Sequence, residues 1–352
     1  MKKNRNYGID LLRIISMIMI VILHILSQGG ILNNVPAFGL SYQLAWALEI
    51  ICYMGVNIYA LISGYVGIDS KFKYTNIIKL TLEVMFYTVL ITLIFKIIDP
   101  SLVSTSDIVK SFFPFAFNHY WYFTAYFGIF FFIPFIQKMV GSFDRNDSKK
   151  FIWTVIIIFS LLPIIFREDI FFIKWGYHVV WLSCLYIVGA CIKKFGFNNV
   201  IEKNLVKVLL ISVLVTIISK IAIEYAVKII VDKEIIGMMF VSYTSPTVLL
   251  SSISTLLIFS KMEINDKFKK CISFLAPLSF AVYLIHTEPL IWEWLLKDAF
   301  KVFTTYNPIL MILIVLSSAI LIYMVCIIIE YVRVLLFKLL KVDKFTLKVD
   351  KN

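Results

Sequence analysis

Long apolar runs, repeated along the whole sequence, constrain this chain more than any other feature. A helix needs about 20 apolar residues to cross a hydrocarbon core of about 30 Å. Ten apolar runs of about this length follow one another here, of which the fifth and sixth are short, and they do not alternate apolar and polar residues as the strands of a membrane barrel must. The sequence therefore predicts an all-α integral membrane protein, a bundle of about ten transmembrane helices, at residues 9–28, 42–64, 76–97, 120–139, 151–166, 177–193, 205–227, 244–261, 271–295 and 307–336.

Composition supports this class of protein and argues against two others. The 352 residues are 61% hydrophobic and only 16% charged, whereas a soluble protein of this size needs more charged surface. The net charge of +12 could suggest nucleic acid, but the cations lie in short loops rather than on a polar domain. The five cysteines have no metal-ligand spacing, so we expect no metal site. We expect one transmembrane domain at 1–340 and a short basic cytoplasmic tail at 341–352.

The loops between the runs carry an uneven distribution of positive charge. The termini and alternate loops hold 23 Lys and Arg residues, against 7 in the other set of loops. Cytoplasmic loops of membrane proteins are enriched in these residues. Both termini are therefore predicted to be cytoplasmic, which agrees with an even number of spans.

The first run, LLRIISMIMIVILHILS at residues 11–27, contains Arg13 and His24. Ionisable residues at mid-membrane cost about 2.5–3.5 kcal/mol each on insertion scales. Eleven helical residues turn through about 1100°, so the two side chains share one face and lie about 16 Å apart along the axis. Asp10 is within ion-pair reach of Arg13. Arg13 could be a surface anchor paired with Asp10, and His24 a structural histidine, but their common face favours a functional pair.

Other polar residues in or beside the runs extend this pattern. All four histidines, at 24, 119, 178 and 286, fall toward the predicted outer side, where an imidazole can act as a general base near neutral pH. Glu49 could orient an imidazole or make a hydrogen bond between helices. Lys220 and Glu224 are spaced as a structural ion pair. The aromatic stretch at 118–135 is typical of an interfacial belt or of an acceptor site.

These residues resemble the membrane acyltransferase-3 family, whose members carry an Arg and a His separated by ten residues in the first span. That block is GIDLLRIISMIMIVILHIL here. Further matching blocks follow in order, to about residue 290: ISGYVGID, HYWYFTAYFGIFFFIPF, WLSCLYIVGACIKKFG, YTSPTVLLSSIS and SFAVYLIHTEP. The chain looks most like the stand-alone polysaccharide O-acetyltransferases of Gram-positive bacteria.

The resemblance implies a plasma-membrane enzyme that moves an acetyl or related acyl group from a cytoplasmic acyl-CoA, usually acetyl-CoA, to a hydroxyl of a cell-surface or lipid-linked polysaccharide on the extracytoplasmic side. No bound cofactor is implied, because the acyl-CoA is a substrate. The family's functional residues map onto Arg13, His24 and His286. Basic residues after the second span are thought to hold the CoA phosphates, and here these are Lys73 and Lys79, where many members have arginine.

From residues and resemblance together, we hypothesise that Arg13, fixed by Asp10, supports the donor. His24 is the base or an acyl-carrying nucleophile, and His286 helps to close the site. Candidates for the acceptor site are His119, Trp121, Tyr122, Tyr283 and Glu49.

Two competing interpretations stay open at this stage. A transporter or flippase would use His and Glu as a proton relay, and inverted repeats would support it, but none is evident. A non-catalytic scaffold or sensor would leave the common face of Arg13 and His24 unexplained. The lipid bilayer, the acyl-CoA and a glycan are the predicted partners, and a homo-oligomer is one of several open oligomeric states.

Overall fold

The computed structural model of the protein describes residues 5–233 and 237–342, and these form helices joined by turns and loops. The longer helices are α1 (Tyr7–Leu26), α2 (Leu40–Gly67), α3 (Tyr74–Ile98), α4 (Trp121–Phe130), α5 (Ile133–Ser142), α6 (Arg145–Phe166), α7 (Val179–Phe195), α8 (Leu205–Val231), α9 (Pro246–Ser260), α10 (Asp266–His286) and α11 (Pro308–Leu339). Shorter helical segments lie at Ile31–Asn34, Pro100–Leu102, Thr105–Ser111, Lys174–Gly176, Asn199–Glu202, Pro289–Ile291, Trp292–Leu296 and Lys301–Thr305.

Each of the ten predicted runs contains a helix, but the count of ten spans is not confirmed. Seven helices of the described residues are long and apolar enough to cross a membrane, namely α1, α2, α3, α6, α8, α10 and α11. The helices α4 and α5 are bent by 63° relative to each other and would together make an eighth. Helices α7 and α9, with 17 and 15 residues, fall short of the length that a full bilayer requires. The ninth run ends early, at His286, because Pro289 begins a new turn.

Segments rich in cations meet at one end of the bundle. The Asn6 side chain donates a hydrogen bond to the Ser260 carbonyl (2.8 Å), and Arg145 donates to the Asn199 side chain (2.7 Å). Together with the ion pair of Lys261 and Glu202 (2.8 Å), these contacts join the start of α1, the α5–α6 turn, the segment after α7 and the end of α9, which the charge count assigns to one side. We call this the basic end, defined by Arg5, Arg13, Lys71, Lys73, Arg145, Lys193 and Lys261.

The opposite end carries the four histidines, and we call it the histidine end. The assignment of the basic end to the cytoplasm stays a prediction. The predicted tail at 341–352 lies almost wholly outside the described residues, as do five of the counted cations, Lys2, Lys3, Lys344, Lys348 and Lys351.

Helix α1 lies inside the bundle, where it packs against α2, α9, α10 and α11. Helices α2 and α7 approach each other closely because glycines line their contact. A Cβ atom on Gly64 would lie 1.8 Å from the Tyr186 carbonyl oxygen, and one on Gly189 would lie 2.1 Å from that of Leu61. Small residues of this kind let membrane helices pack backbone to backbone. Both glycines belong to blocks that carry the family resemblance.

Two charge clusters are buried in the bundle. In α8, Lys220 and Glu224 form the predicted ion pair, each side chain about 1% exposed, and the Tyr42 hydroxyl donates to Glu224 at 2.8 Å. In α11, Arg333 pairs with Glu330 one turn earlier.

The second cluster shows that one of the cations counted in the loops lies inside a helix. The 23 counted cations include Arg333 as part of the C-terminal tail, but Arg333 lies inside α11 and is 8% exposed. The Tyr87 hydroxyl of α3 donates to Glu330 at 2.6 Å, and Glu83 of α3 lies 3.6 Å from Arg333. Arg333 is buried because neighbouring carboxylates neutralise it.

Candidate functional site

A pair of histidines links α1 to α10 at the histidine end. His24 lies in the last turns of α1, and His286 is the last residue of α10. Nδ1 of His24 is 2.8 Å from Nε2 of His286, and the two ring centroids are 5.0 Å apart. The Trp292 ring stands edge-on to His24, with 4.8 Å between centroids. The structure therefore brings together the two histidines that the sequence singled out, although 262 positions separate them.

The hydrogen-bond network assigns the protons of this pair. Nδ1 of His286 is 2.5 Å from the Val282 carbonyl oxygen, which can only accept, so His286 carries its proton on Nδ1. A neutral His286 then accepts at Nε2, and the proton of His24 must lie on its Nδ1. This arrangement leaves a lone pair on Nε2 of His24, which makes no hydrogen bond to another described residue. The pair thus presents one free basic nitrogen.

His24 lines a cavity of about 400 Å³, which we call the acceptor cavity. Of the residues predicted for an acceptor site, His119, Trp121 and Tyr283 line it as well. Sequence reasoning did not identify its other lining residues, Ser27, Tyr177, Thr287, Pro289, Trp292 and Glu293.

His119 is a second histidine that lines this cavity, and its ring lacks one hydrogen bond within the described ranges. Partial burial and the nearby Lys110 cation lower the pKa of His119 below its ordinary value, which favours the neutral ring. Its Nδ1 is buried and has no hydrogen-bond partner among the described residues. An unpaired buried nitrogen of this kind is a costly feature that a bound polar group could satisfy.

A narrow gap of about 40 Å³ leads from the acceptor cavity toward the basic end. Met17 and Ile20 of α1 line it, and they continue the helical face that runs from Arg13 to His24. The predicted Tyr122 also lines the gap, and its backbone N–H donates to the Tyr283 hydroxyl at 3.4 Å. The gap therefore follows the predicted shared face from His24 as far as Met17, one helical turn from Arg13.

Arg13 lies one turn further along α1, where it lines two cavities of about 240 and 330 Å³. Asp10 pairs with Arg13 at 3.6 Å and with Arg5, so the predicted Asp10–Arg13 contact is present. Lys73 lines the smaller cavity together with Lys71, and Lys193 lines the larger one with Arg5. Several cations thus converge around one opening.

A proline in α10 explains the position of Arg5. Pro277 has no N–H, so it leaves the Ser273 carbonyl, four residues earlier, without its helical partner. Arg5 donates to that carbonyl at 3.2 Å. This contact fixes the start of α1 against the helix that carries His286.

Two predicted site residues lie apart from these cavities. Lys79 is in the second turn of α3 and lines neither cavity at the basic end. Six helical residues turn through about 600°, so Lys79 points away from the face that Lys73 begins. Glu49 is buried in α2 and orients neither imidazole, because His286 bonds Nδ1 of His24 and Val282 bonds Nδ1 of His286. No group of three His, Cys, Asp or Glu residues in the described ranges could hold a metal ion.

The fold and the site define a multi-pass membrane protein with a histidine pair at one end of the bundle and a cation cluster at the other, with residues of both on one face of α1. A family model described as an acyltransferase domain matches residues 6–331, nearly the entire chain. The chain therefore belongs to the membrane acyltransferase-3 family and is a membrane acyltransferase. No curated protein and no solved structure matches the chain.

Proposed function

We propose that this protein is an O-acyltransferase of the plasma membrane, which moves an acetyl or related acyl group from cytoplasmic acyl-CoA to a hydroxyl of an extracytoplasmic glycan. The observation that carries the proposal is the free Nε2 of His24, a residue that lines the acceptor cavity and shares a helix face with Arg13. A single helix face thus connects a site suited to an anionic donor with a base suited to an alcohol.

The basic end is the donor site of this proposal. Coenzyme A carries several phosphate charges, and arginine and lysine bind phosphate oxygens through charge-assisted hydrogen bonds. Arg13 is only partly exposed and faces both cavities there, while Asp10 and Arg5 hold its position. Lys73 binds phosphate in this scheme, and Lys79 contributes charge from outside the cavity.

His24 performs the proton transfers. Its Nε2 takes the proton of the acceptor hydroxyl, and the resulting oxygen attacks the thioester carbonyl to form a C–O bond. The tetrahedral intermediate then expels the CoA thiolate by breaking the C–S bond. The imidazolium of His24 returns its proton to that sulfur, so the products are an ester and CoA thiol. His286 holds the proton of His24 on Nδ1 throughout.

In this proposal the thioester must pass along α1 from the basic end toward His24. Arg13 and His24 lie about 16 Å apart along α1. The gap of about 40 Å³ beside Met17 and Ile20 is too small for a nucleotide and admits only a thin chain. In our proposal the nucleotide stays among the cations, and the long thioester arm of the donor threads this gap toward His24.

Replacement of His24 by alanine tests the proposal. In a deletion strain that expresses the variant, ester-linked acyl groups on cell-surface glycan should fall to the level of the deletion, as measured by mass spectrometry. His178→Ala is a matched control, because His178 lies at the same end but caps α7 through its Nδ1. Full acylation by His24→Ala, at protein levels equal to wild type, would remove the basis of the proposal.

A further inference from the structure

A third cavity, of about 690 Å³, lies beside the acceptor cavity at the histidine end, and we call it the lateral chamber. One wall is the half of α8 nearer the histidine end, at Ile223 and Val227. Another wall is the end of α6, at Ile164 and Arg167. Met238, which is 42% exposed, lies at its rim, so the chamber is open to the surroundings of the bundle. Its lining is largely apolar.

A non-helical segment, residues 237–245, forms the inner wall of the chamber. Such backbone is tolerated at membrane depth only where protein covers it or where it lines a cavity. Hydrogen bonds hold it at both ends: the Gly237 N–H donates to Glu224 at 3.1 Å, and the Asn57 side chain donates to the Tyr243 carbonyl at 2.8 Å. The buried Lys220–Glu224 pair therefore also anchors the chamber wall, and the chamber is a built feature of the fold.

Arg167 places a cation at this otherwise apolar site. It ends α6 in the left-handed conformation, with φ 56°, and its side chain is exposed. No carboxylate of the described residues lies within ion-pair distance of its guanidinium. The nearby Asp169 instead accepts the backbone N–H groups of Ile173 and Lys174. The chamber thus combines an apolar volume with an available cation.

Aromatic rings connect the lateral chamber to His24. Tyr177 and Tyr243 line both the chamber and the gap beside His24, and Tyr177 also lines the acceptor cavity. Trp121 stacks on Tyr243 with centroids 6.4 Å apart and lies 4.8 Å from Tyr177. Sugar rings stack their C–H faces on such aromatic surfaces, so this junction suits a glycan that extends from the chamber toward His24.

We propose that the lateral chamber binds the acceptor as a glycan joined through phosphate to a lipid chain. The lipid chain lies along α8 in the apolar chamber, the phosphate pairs with Arg167, and the sugar lies on Trp121, Tyr177 and Tyr243. A hydroxyl of that sugar then reaches Nε2 of His24. This inference rests on the proposed function and adds to it the carrier on which the acceptor arrives.

Photo-cross-linking of the full-length protein in phosphatidylcholine nanodiscs tests the chamber without any acyl donor. The probe is an alkyl phosphate with a diazirine in its chain, and labelled peptides are mapped by mass spectrometry. We expect labelling of α8 around Val227 and of residues 237–243. Arg167→Gln should weaken probe binding about tenfold or more, because a charge-assisted contact is lost, and Arg167→Lys should retain most of it. Lys174→Gln, a nearby exposed cation outside the chamber lining, should leave labelling unchanged.

A second pair of variants tests the apolar part of the chamber. Val227→Trp should fill the volume and suppress labelling, whereas Val215→Trp on the lipid-facing surface of the same helix, where Val215 is 42% exposed, should not. Equal labelling in wild type, Arg167→Gln and Val227→Trp would overturn the proposal.

Competition separates an acceptor carrier from bulk lipid. A prenyl-phosphate-linked disaccharide should displace the probe, and phosphatidylglycerol at the same concentration should not. Equal displacement by phosphatidylglycerol would identify a general lipid site and refute the acceptor role. Because no acyl-CoA is present, either result is independent of whether the protein transfers an acyl group.

Discussion

Replacement of His286 by phenylalanine should slow acyl transfer while the bundle stays folded. The variant removes the acceptor that holds the His24 proton on Nδ1 at 2.8 Å, and the phenyl ring fills the same buried space. A net hydrogen bond contributes about 0.5–1.5 kcal/mol. Its loss corresponds to a change of about two- to thirteenfold in the population of the His24 form that carries its proton on Nδ1. The freed ring also loses its fixed orientation. We therefore expect the rate to fall by about ten- to a hundredfold.

The comparison with His24→Ala makes this prediction specific. Removal of a general base costs about 10²–10⁴ in rate, so His24→Ala should be the more severe variant. If His286 acts only through His24, the double variant should be no slower than His24→Ala alone. The assay is the transfer of labelled acetyl from acetyl-CoA to glycan-bearing membranes of a deletion strain, with purified protein at matched concentration.

Two results would refute this reasoning. If the double variant is slower than His24→Ala by the full factor of His286→Phe, the two histidines act independently. If His286→Phe transfers acetyl at the wild-type rate, the hydrogen bond from His24 has no part in the reaction. Thermal unfolding of each variant in the same detergent controls for loss of structure.

Other regions of the molecule give further predictions. Arg13→Gln should raise KM for acyl-CoA about tenfold with a smaller effect on kcat, and a changed kcat alone would argue against a donor role. Ile20→Trp should block the gap and abolish transfer while CoA still binds by calorimetry, and normal transfer would show that the path lies elsewhere. Burial raises the pKa of Glu288 to about 7, so the folded state binds a proton more tightly between about pH 4.5 and 7. The free energy of unfolding should therefore fall with rising pH by up to about 3 kcal/mol in that window. The test is to measure the melting temperature of Glu288→Gln across this window, where it should not show this fall. Glu224→Ala should destabilise the protein by about 3–5 kcal/mol, and Lys220→Met with Glu224→Leu should recover most of that loss in a melting assay.

Local geometry explains what the sequence could predict about the site. The positions of Arg13 and His24 on one face follow from helical periodicity alone, and Asp10 follows from one-turn spacing. The ion pair of Lys220 and Glu224 was predictable for the same reason. Each of these statements concerns a single helix, where spacing in the sequence determines spacing in the structure.

Contacts between distant segments could not be predicted in this way. The resemblance indicated that His286 matters, but neither it nor spacing shows the bond to His24 or the Val282 carbonyl that assigns its proton. Trp292 was placed inside a long ninth span, and it reaches His24 only because the chain turns after His286. Lys79 and Lys73 were predicted to share one role because they are close in the sequence, whereas the rotation of the helix places Lys79 on another face.

The buried charges of this bundle have a consequence for biogenesis. Lys220 and Glu224 lie on one helix, as do Glu330 and Arg333. Each pair can form as soon as its own helix forms, before neighbouring helices pack against it. The helix can therefore leave the translocon almost neutral. Tyr42 and Tyr87, which come from other helices, can add their hydrogen bonds after lateral assembly. If the same charges lay on separate helices, they would be unpaired in the lipid until those helices packed together.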